Sequence, residues 1–311
     1  MISRNDWKLW ALLLGVRLGR VLPRSVSYAI ARVGADLAFQ LRPSIRGNVE
    51  DNMRHVLGAG ASRERVRATA REAVRNVARY YVDLVRLPRT DLKAMIGHEI
   101  RLHGFDRLTS RLEAGQGVVV ATAHYGNPEV AVQVGAILGL DVLVLAEPLE
   151  PPAFARLMRQ LRSAFAPRYE DVGFGAVADS LRHLRAGGCL AITCDRDIQH
   201  NGSPVEFFGV ETRLPTGAVE LAKRTGALLV PGYCHRAGEA FDVYFEEPID
   251  LVDTGQPKED ARTNALALLA RAERWISSDP GQWLPLERIW KPIAAGTKAP
   301  AEEPTPVDAR P

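Results

Sequence analysis

The stretch GVVVATAHYGNPEV, residues 117–130, decides the fold. Val118 to Ala121 form an apolar run behind a glycine, the composition of a strand buried on both faces of a sheet. The run ends in His124, and Asn127 followed by Pro128 reads as an N-cap and first-turn pair that opens a helix. A buried strand, a short loop and a helix make the repeating unit of a parallel sheet covered by helices. In such a sheet, ligand crevices form beyond the carboxyl ends of the strands, so an imidazole at this point faces a site.

The same alternation continues on either side. Strands are expected at 117–122, 142–146, 189–193, 228–233 and 241–245, with helices at 128–138, 152–165, 174–186, 216–225 and about 259–277. The expected fold class is α/β, with a mainly parallel central sheet flanked by helices and an N-terminal amphipathic helical portion. Residues 1–89 form that helical portion, expected to associate with a membrane, 90–291 the α/β domain, and 292–311, with five prolines among the last twenty residues, a disordered tail.

In the N-terminal portion, WKLWALLLGVRLGRVL (7–22) is interrupted by Arg17 and Arg20 before it reaches the length of a bilayer span. Trp7, Trp10, Leu14, Leu18 and Val21 recur at helical spacing among basic residues, which suits a helix lying in a membrane interface or one packing on the domain. No small-residue cleavage site follows, so a removable signal peptide is not expected. A second helix runs from an N-cap at Ser62 to Pro88, burying Val66, Ala70, Val74, Val77, Tyr81 and Leu84. Beside that face Arg67, Arg71, Arg75 and Arg79 make a basic row, either a solvated face or a contact for an anionic surface.

Composition sets outer limits. Hydrophobic residues make up 46% and charged residues 25%, which excludes both a disordered chain and a polytopic membrane protein. The net charge of +3 conceals a gradient, because residues 1–89 hold 17 Lys and Arg against 7 Asp and Glu, whereas the rest hold 23 against 30. A basic N-terminal block suits a lipid surface, a nucleic acid or an acidic carrier protein. Nucleic acid is the weakest of these, since no recognition module or row of aromatic platforms is legible. Cys189, Cys194 and Cys234 match neither a zinc site nor a disulfide framework and read as buried thiols in a reducing compartment.

Three sets of residues are candidates for chemistry. Glu129 falls in the first turn of the helix after His124, where it can fold back and fix the imidazole tautomer, or merely cap the helix. Asp195, Arg196 and Asp197 end another apolar strand, at the same sheet edge as His124 if the two strands are parallel. They suit sugar hydroxyls, a metal or a structural ion pair. Phe207 and Phe208 line an acyl channel or pack in the core. No G-x-S-x-G elbow occurs, so a serine acyl-enzyme is not expected.

Four segments together resemble the bacterial lipid A biosynthesis acyltransferase superfamily, the lauroyl and myristoyl transferases, which also contains the phosphatidylinositol mannoside acyltransferases. They are RGNVEDNMRHVLG (46–58), AHYGNPE (123–129), the run from Asp195 through VEFFGVETRLPTGAVELAKRTGALLVP (205–231), and DPGQWLPLERIW (279–290). The resemblance covers roughly residues 5–290. It implies a glycerolipid-acyltransferase-like fold in which His124 is the catalytic histidine and Glu129 its acidic partner. It places Asp195 in the acceptor site with Arg196 beside it, and Arg162, in LMRQLRSAF, near the acceptor head group.

The implied reaction moves a fatty acyl chain from acyl-CoA or acyl-carrier protein to a hydroxyl of a membrane glycolipid or phospholipid, with no metal or cofactor. The implied location is the cytoplasmic face of the plasma membrane, with membrane lipids as partners. Pro285 and Glu287 depart from the pattern, standing where related chains tend to have aromatic and histidine residues before Arg288. A thioester or lipid hydrolase and a non-catalytic lipid-binding protein are the competing readings.

Overall fold

The structure is a computed structural model that describes residues 15–165 and 167–291. The expected helix at 7–22 lies in part outside the described residues, which are helical over 15–21, and the expected tail at 292–311 lies wholly outside them. Three long helices then follow: α1 (Arg24–Leu41), α2 (Pro43–Leu57) and α3 (Arg63–Arg86). Ser62 caps α3 as expected, its hydroxyl accepting from the Arg65 N–H at 3.2 Å, and the helix gives way at Leu87–Arg89 around Pro88.

After a short helix α4 (Leu92–Met95) the chain alternates strand and helix. The order is β1 (Ile100–His103), α5 (Phe105–Glu113), β2 (Val118–Thr122), α6 (Pro128–Ile137), β3 (Val142–Ala146), α7 (Pro152–Arg162), β4 (Arg168–Asp171), α8 (Phe174–Arg185) and β5 (Cys189–Thr193). A hairpin of β6 (Ser203–Phe207) and β7 (Val210–Leu214) precedes α9 (Gly217–Thr225), β8 (Leu228–Ala237), β9 (Ala240–Phe245) and α10 (Pro257–Ser278). Among the described residues the main sheet has seven strands in the order β1-β9-β8-β2-β5-β3-β4. All neighbours are parallel except β8 and β9, so the fold is α/β with a mainly parallel sheet flanked by helices.

The strands missed in the sequence are the two edges of the main sheet and the β6–β7 hairpin. β1 (IRLH) and β4 (RYED) each have one neighbour and polar residues, so they lack the apolar run that marks β2, β3 and β5. β8 outlasts its apolar signal by four residues because it continues into the antiparallel pair with β9, where Arg236 faces Phe241. The basic row on α3 is not a free cationic face. Arg71 and Arg75 each hold Asp36 of α1 at 2.7 Å, and Arg79 holds Glu72 at 3.1 Å. The Asp36 carboxyl lies well below its ordinary range because of its hydrogen bonds to Arg75 and Arg71.

One apolar core runs through both portions, joining Phe39 of α1, Met53 of α2 and Ala70 of α3 to Val119 of β2, Leu190 of β5 and Trp275 of α10. Asn52 of α2 ties this core to the C-terminal segment. Fully buried, it donates to the Glu287 carbonyl at 2.8 Å and accepts from the Ile289 N–H at 3.0 Å. Asn52→Ala leaves both backbone groups buried without partners, which costs about 2–4 kcal/mol. Chemical denaturation checks this, and an unchanged midpoint would show that the segment holds itself in place.

Candidate active site

Two neighbouring strand ends build the site. β2 and β5 are parallel and in register, with Thr122 opposite Thr193, so the residues two places beyond each end meet. These are His124 and Asp195. Nδ1 of His124 lies 2.8 Å from Oδ1 of Asp195, and the His124 backbone N–H donates to Oδ2 at 2.9 Å. The indole Nε1 of Trp283 also donates to Oδ2, at 2.8 Å. Asp195 is fully buried; burial alone would raise its carboxyl, but the His124 charge and the bonds from His124 and Trp283 outweigh burial and hold it below its ordinary range. An ionised carboxylate at Nδ1 requires the ring proton there and leaves the lone pair on Nε2.

The loop between β2 and α6 is clamped on several sides. The Gly126 N–H donates to the Gln282 carbonyl at 2.9 Å, and the Leu284 N–H to the His124 carbonyl at 2.8 Å. Gly126 has φ +61°, and a Cβ there would stand 1.8 Å from the Cys234 carbonyl oxygen, so only glycine fits. Asn127 caps α6 by accepting from the Val130 N–H at 3.3 Å, while its amide donates to Asp83 of α3 at 2.8 Å. Asp83 also accepts from Tyr28 of α1 at 2.5 Å and from Arg236 of β8. The turn that carries His124 is thus fixed by the N-terminal helices, by β8 and by the C-terminal segment.

Glu129 does not serve His124. Its buried carboxylate takes hydrogen bonds from Tyr169 and, at 2.9 Å, from Gln133, and faces Arg162, whose Nε stands 3.0 Å from Oε2. The angle at that nitrogen falls outside hydrogen-bonding range, so the contact is an ion pair. Burial would lower the Arg162 pKa, but Tyr80 and Glu129 raise it and the guanidinium stays charged. Burial and the Glu129 charge both raise the Tyr169 phenol, which therefore keeps its proton and donates it. The same causes push Tyr80 up to about 12. Glu129 is the second residue of α6, and Arg162, at the end of α7, pairs with it.

Asp195, which the resemblance placed in the acceptor site, has no exposed surface and does not line the cavity; its oxygens are bonded by His124 and Trp283. Arg196, next in sequence, does reach the cavity and is held by Glu287 at 2.9 Å and Glu147 at 3.2 Å. Asp197 accepts from the backbone N–H groups of Asn201 and Gly202, which shapes the following turn.

The cavity in front of His124 has a volume of about 620 Å³. Its polar lining includes Glu129, Arg162, Arg196, Glu147, Glu287 and Asn201, and its apolar lining Val77, Leu145, Phe154, Met158 and Ile192. Thr122, Pro128, Val132 and Ala191 are shared with an apolar sleeve between α6 and the sheet that reaches Leu140, Val142, Val243 and Phe245. Phe207 and Phe208 line neither space. They pack with Trp283 and Trp290 in an aromatic cluster. Cys189 and Cys234 are buried, and burial pushes both thiols up to about 12, so they remain protonated packing groups.

Trp283, Asp83 and Glu147 are site residues that the sequence reading did not single out for a role. Trp283 lies within DPGQWLPLERIW, but nothing in one sequence shows that its indole bonds a carboxylate 88 residues earlier. Among the described residues no helix is long and apolar enough to cross a membrane.

Over residues 3–292 the chain matches the family described as bacterial lipid A biosynthesis acyltransferase. It is 29% identical over 290 residues to a phosphatidylinositol mannoside acyltransferase of Mycolicibacterium smegmatis, covering 89% of each chain. A phosphatidylinositol mannoside acyltransferase of Mycobacterium tuberculosis is 27% identical over 229 residues, covering 70% of this chain and 69% of that protein. A match along nearly the whole length, on a fold that sets a histidine and a buried carboxylate against an amphipathic cavity, assigns the chain to a family: it belongs to the bacterial lipid A biosynthesis acyltransferases and is an O-acyltransferase.

Proposed function

We propose that the protein transfers a fatty acyl chain from a coenzyme A or carrier-protein thioester to a hydroxyl of a glycosylated phosphatidylinositol, acting as a peripheral protein at the cytoplasmic face of the plasma membrane. The His124–Asp195 pair at the wall of the amphipathic cavity carries this reading. Nε2 of His124 takes the acceptor proton as the oxygen attacks the thioester carbonyl, and the same proton then goes to the departing thiolate. Asp195 keeps Nδ1 protonated and stabilises the imidazolium that forms in between. The apolar walls of the cavity suit the acyl chain, and Arg162, Arg196 and the acids around them suit the sugar and phosphate of the acceptor. The names of the two relatives support this acceptor over one of the lipid A type. The sequence's lack of a nucleophile elbow favours direct transfer.

The proposed roles separate under mutation. His124→Ala costs on the order of 100- to 10,000-fold in transfer rate with the fold intact. Arg162→Ala raises the acceptor KM more than it lowers kcat, and leaves slow donor hydrolysis in place. Steady-state kinetics with a radiolabelled thioester and the purified acceptor measure both. Undiminished transfer by a folded His124→Ala protein removes the mechanism, and release of free acid at an acceptor-independent rate makes the protein a hydrolase.

Two amide substitutions test the carboxylate assignment. Asp195 is held below its ordinary range by His124 and Trp283 and so stays ionised beside Nδ1. Asp195→Asn removes the charge that stabilises the imidazolium formed during transfer, so kcat falls on the order of 100-fold or more, whereas Glu129→Gln lowers kcat far less. Steady-state kinetics of the two variants, each checked for an intact fold by circular dichroism, measure this, and a greater loss of kcat in Glu129→Gln than in Asp195→Asn would make Glu129 the partner of His124.

A further inference from the structure

The helix α1 presents an apolar stripe with no protein against it among the described residues. Val26, Ile30, Val33, Leu37 and Leu41 are 41%, 57%, 60%, 51% and 72% exposed, although each is a large aliphatic residue. At 3.6 residues per turn the five fall within about 80° of the helix circumference. The opposite face is the anchored one: Ser27, Ala35 and Phe39 are buried, Asp36 is held by Arg71 and Arg75, and Tyr28 bonds Asp83. Leu18 and Val21, 47% and 76% exposed, extend the apolar surface toward the N-terminus. An apolar patch of this length on a surface helix is a contact surface.

Charge selects the occupant. Residues 15–46 contain six arginines and a single acid, Asp36, whose carboxylate is committed to α3. Arg17, Arg32 and Arg42 are exposed, and none has a carboxylate within ion-pairing distance among the described residues. Self-pairing of this face about a two-fold axis would bring two such positive surfaces together. A bilayer containing anionic lipid supplies hydrocarbon for the stripe and counter-charge for the positive segment that carries it.

We propose that α1 docks flat on an anionic bilayer through Val26, Ile30, Val33, Leu37 and Leu41, with the net positive charge of residues 15–46 drawing it to the head groups. This rests on the reading of the acceptor as a membrane lipid. The contact falls outside the catalytic machinery, because α1 packs on the side of α3 that carries Arg71, Arg75 and Asp83, whereas Val77, Tyr80 and Tyr81 line the cavity from the other side. It places a lipid contact on α1, beside the expected interfacial helix at 7–22 rather than on the basic row of α3.

Flotation of the full-length protein on vesicles tests this without any acyl transfer, so a failure of the His124 chemistry would leave it standing. The wild type is expected to float with vesicles of phosphatidylcholine and phosphatidylglycerol and far less with phosphatidylcholine alone. The Ile30→Ser/Val33→Ser/Leu37→Ser variant is expected to bind the mixed vesicles at least tenfold more weakly, with an unchanged circular dichroism spectrum. Binding equal to wild type would overturn the proposal. So would a wild-type dimer, seen by light scattering, that the variant splits with no change in vesicle affinity, since the stripe would then join two copies. As a check independent of the triple variant, Val33→Cys bearing an environment-sensitive fluorophore should brighten on mixed vesicles, the three native cysteines being buried. No change in its emission would overturn the docking of this face.

Discussion

A carboxylate with no access to water holds the site together. Asp195 accepts from the ring and the backbone of His124 and from the indole of Trp283, and so joins three segments distant in sequence: the end of β2, the end of β5 and the C-terminal crossing near residue 283. A buried charge is tolerated only when it is paired and hydrogen-bonded. Here the group that pairs it is also the base of the proposed reaction. Desolvation works against Asp195, and its partners reverse the outcome, so the carboxylate stays charged and the imidazole stays oriented. The remaining loop contacts, Gly126 to Gln282 and Leu284 to His124, keep that arrangement in one geometry.

The N-terminal helices are part of this construction rather than an appendage to it. Asp83 of α3 takes bonds from Tyr28 of α1, from Arg236 of β8 and from the amide that caps α6, and the last of these lies three residues from His124. α3 closes one wall of the cavity with Val77, Tyr80 and Tyr81, and Asn52 of α2 receives the C-terminal segment that carries Glu287 into that cavity. The proposed membrane contact on α1 would therefore bear on a helix pair that is joined to the site by the Asp36 ion pairs and the Tyr28–Asp83 bond rather than by a linker.

Five central strands and the helices between them were legible because burial on both faces leaves an uninterrupted apolar run, as in VVVAT, VLVLA and CLAIT. The edge strands IRLH and RYED were not, since a strand with one neighbour need not be apolar. At the site, His124, Arg162 and Arg196 were found, and Asp195 was placed at the correct sheet edge. Its pairing with His124 followed from a fact that one sequence leaves open, namely that β2 and β5 are adjacent. Once adjacency is given, equal distance past Thr122 and Thr193 puts the two side chains together. Sequence proximity pointed instead to Glu129, five residues from His124, because helical spacing is visible in a sequence and sheet order is not.

Asp195 and Glu129 are both buried, and the fold gives each its own partners. The carboxylate charge of Glu129 is met by a cation of its own. Arg162, Tyr169 and Gln133 absorb that charge, and Asp195 alone sets the ring. The Glu129–Arg162 pair is then free to serve the other side of the proposed reaction, as a fixed dipole in the cavity wall whose guanidinium end meets the acceptor's phosphate. Base and cation are in this way held by separate buried networks, so that stabilising one does not weaken the other.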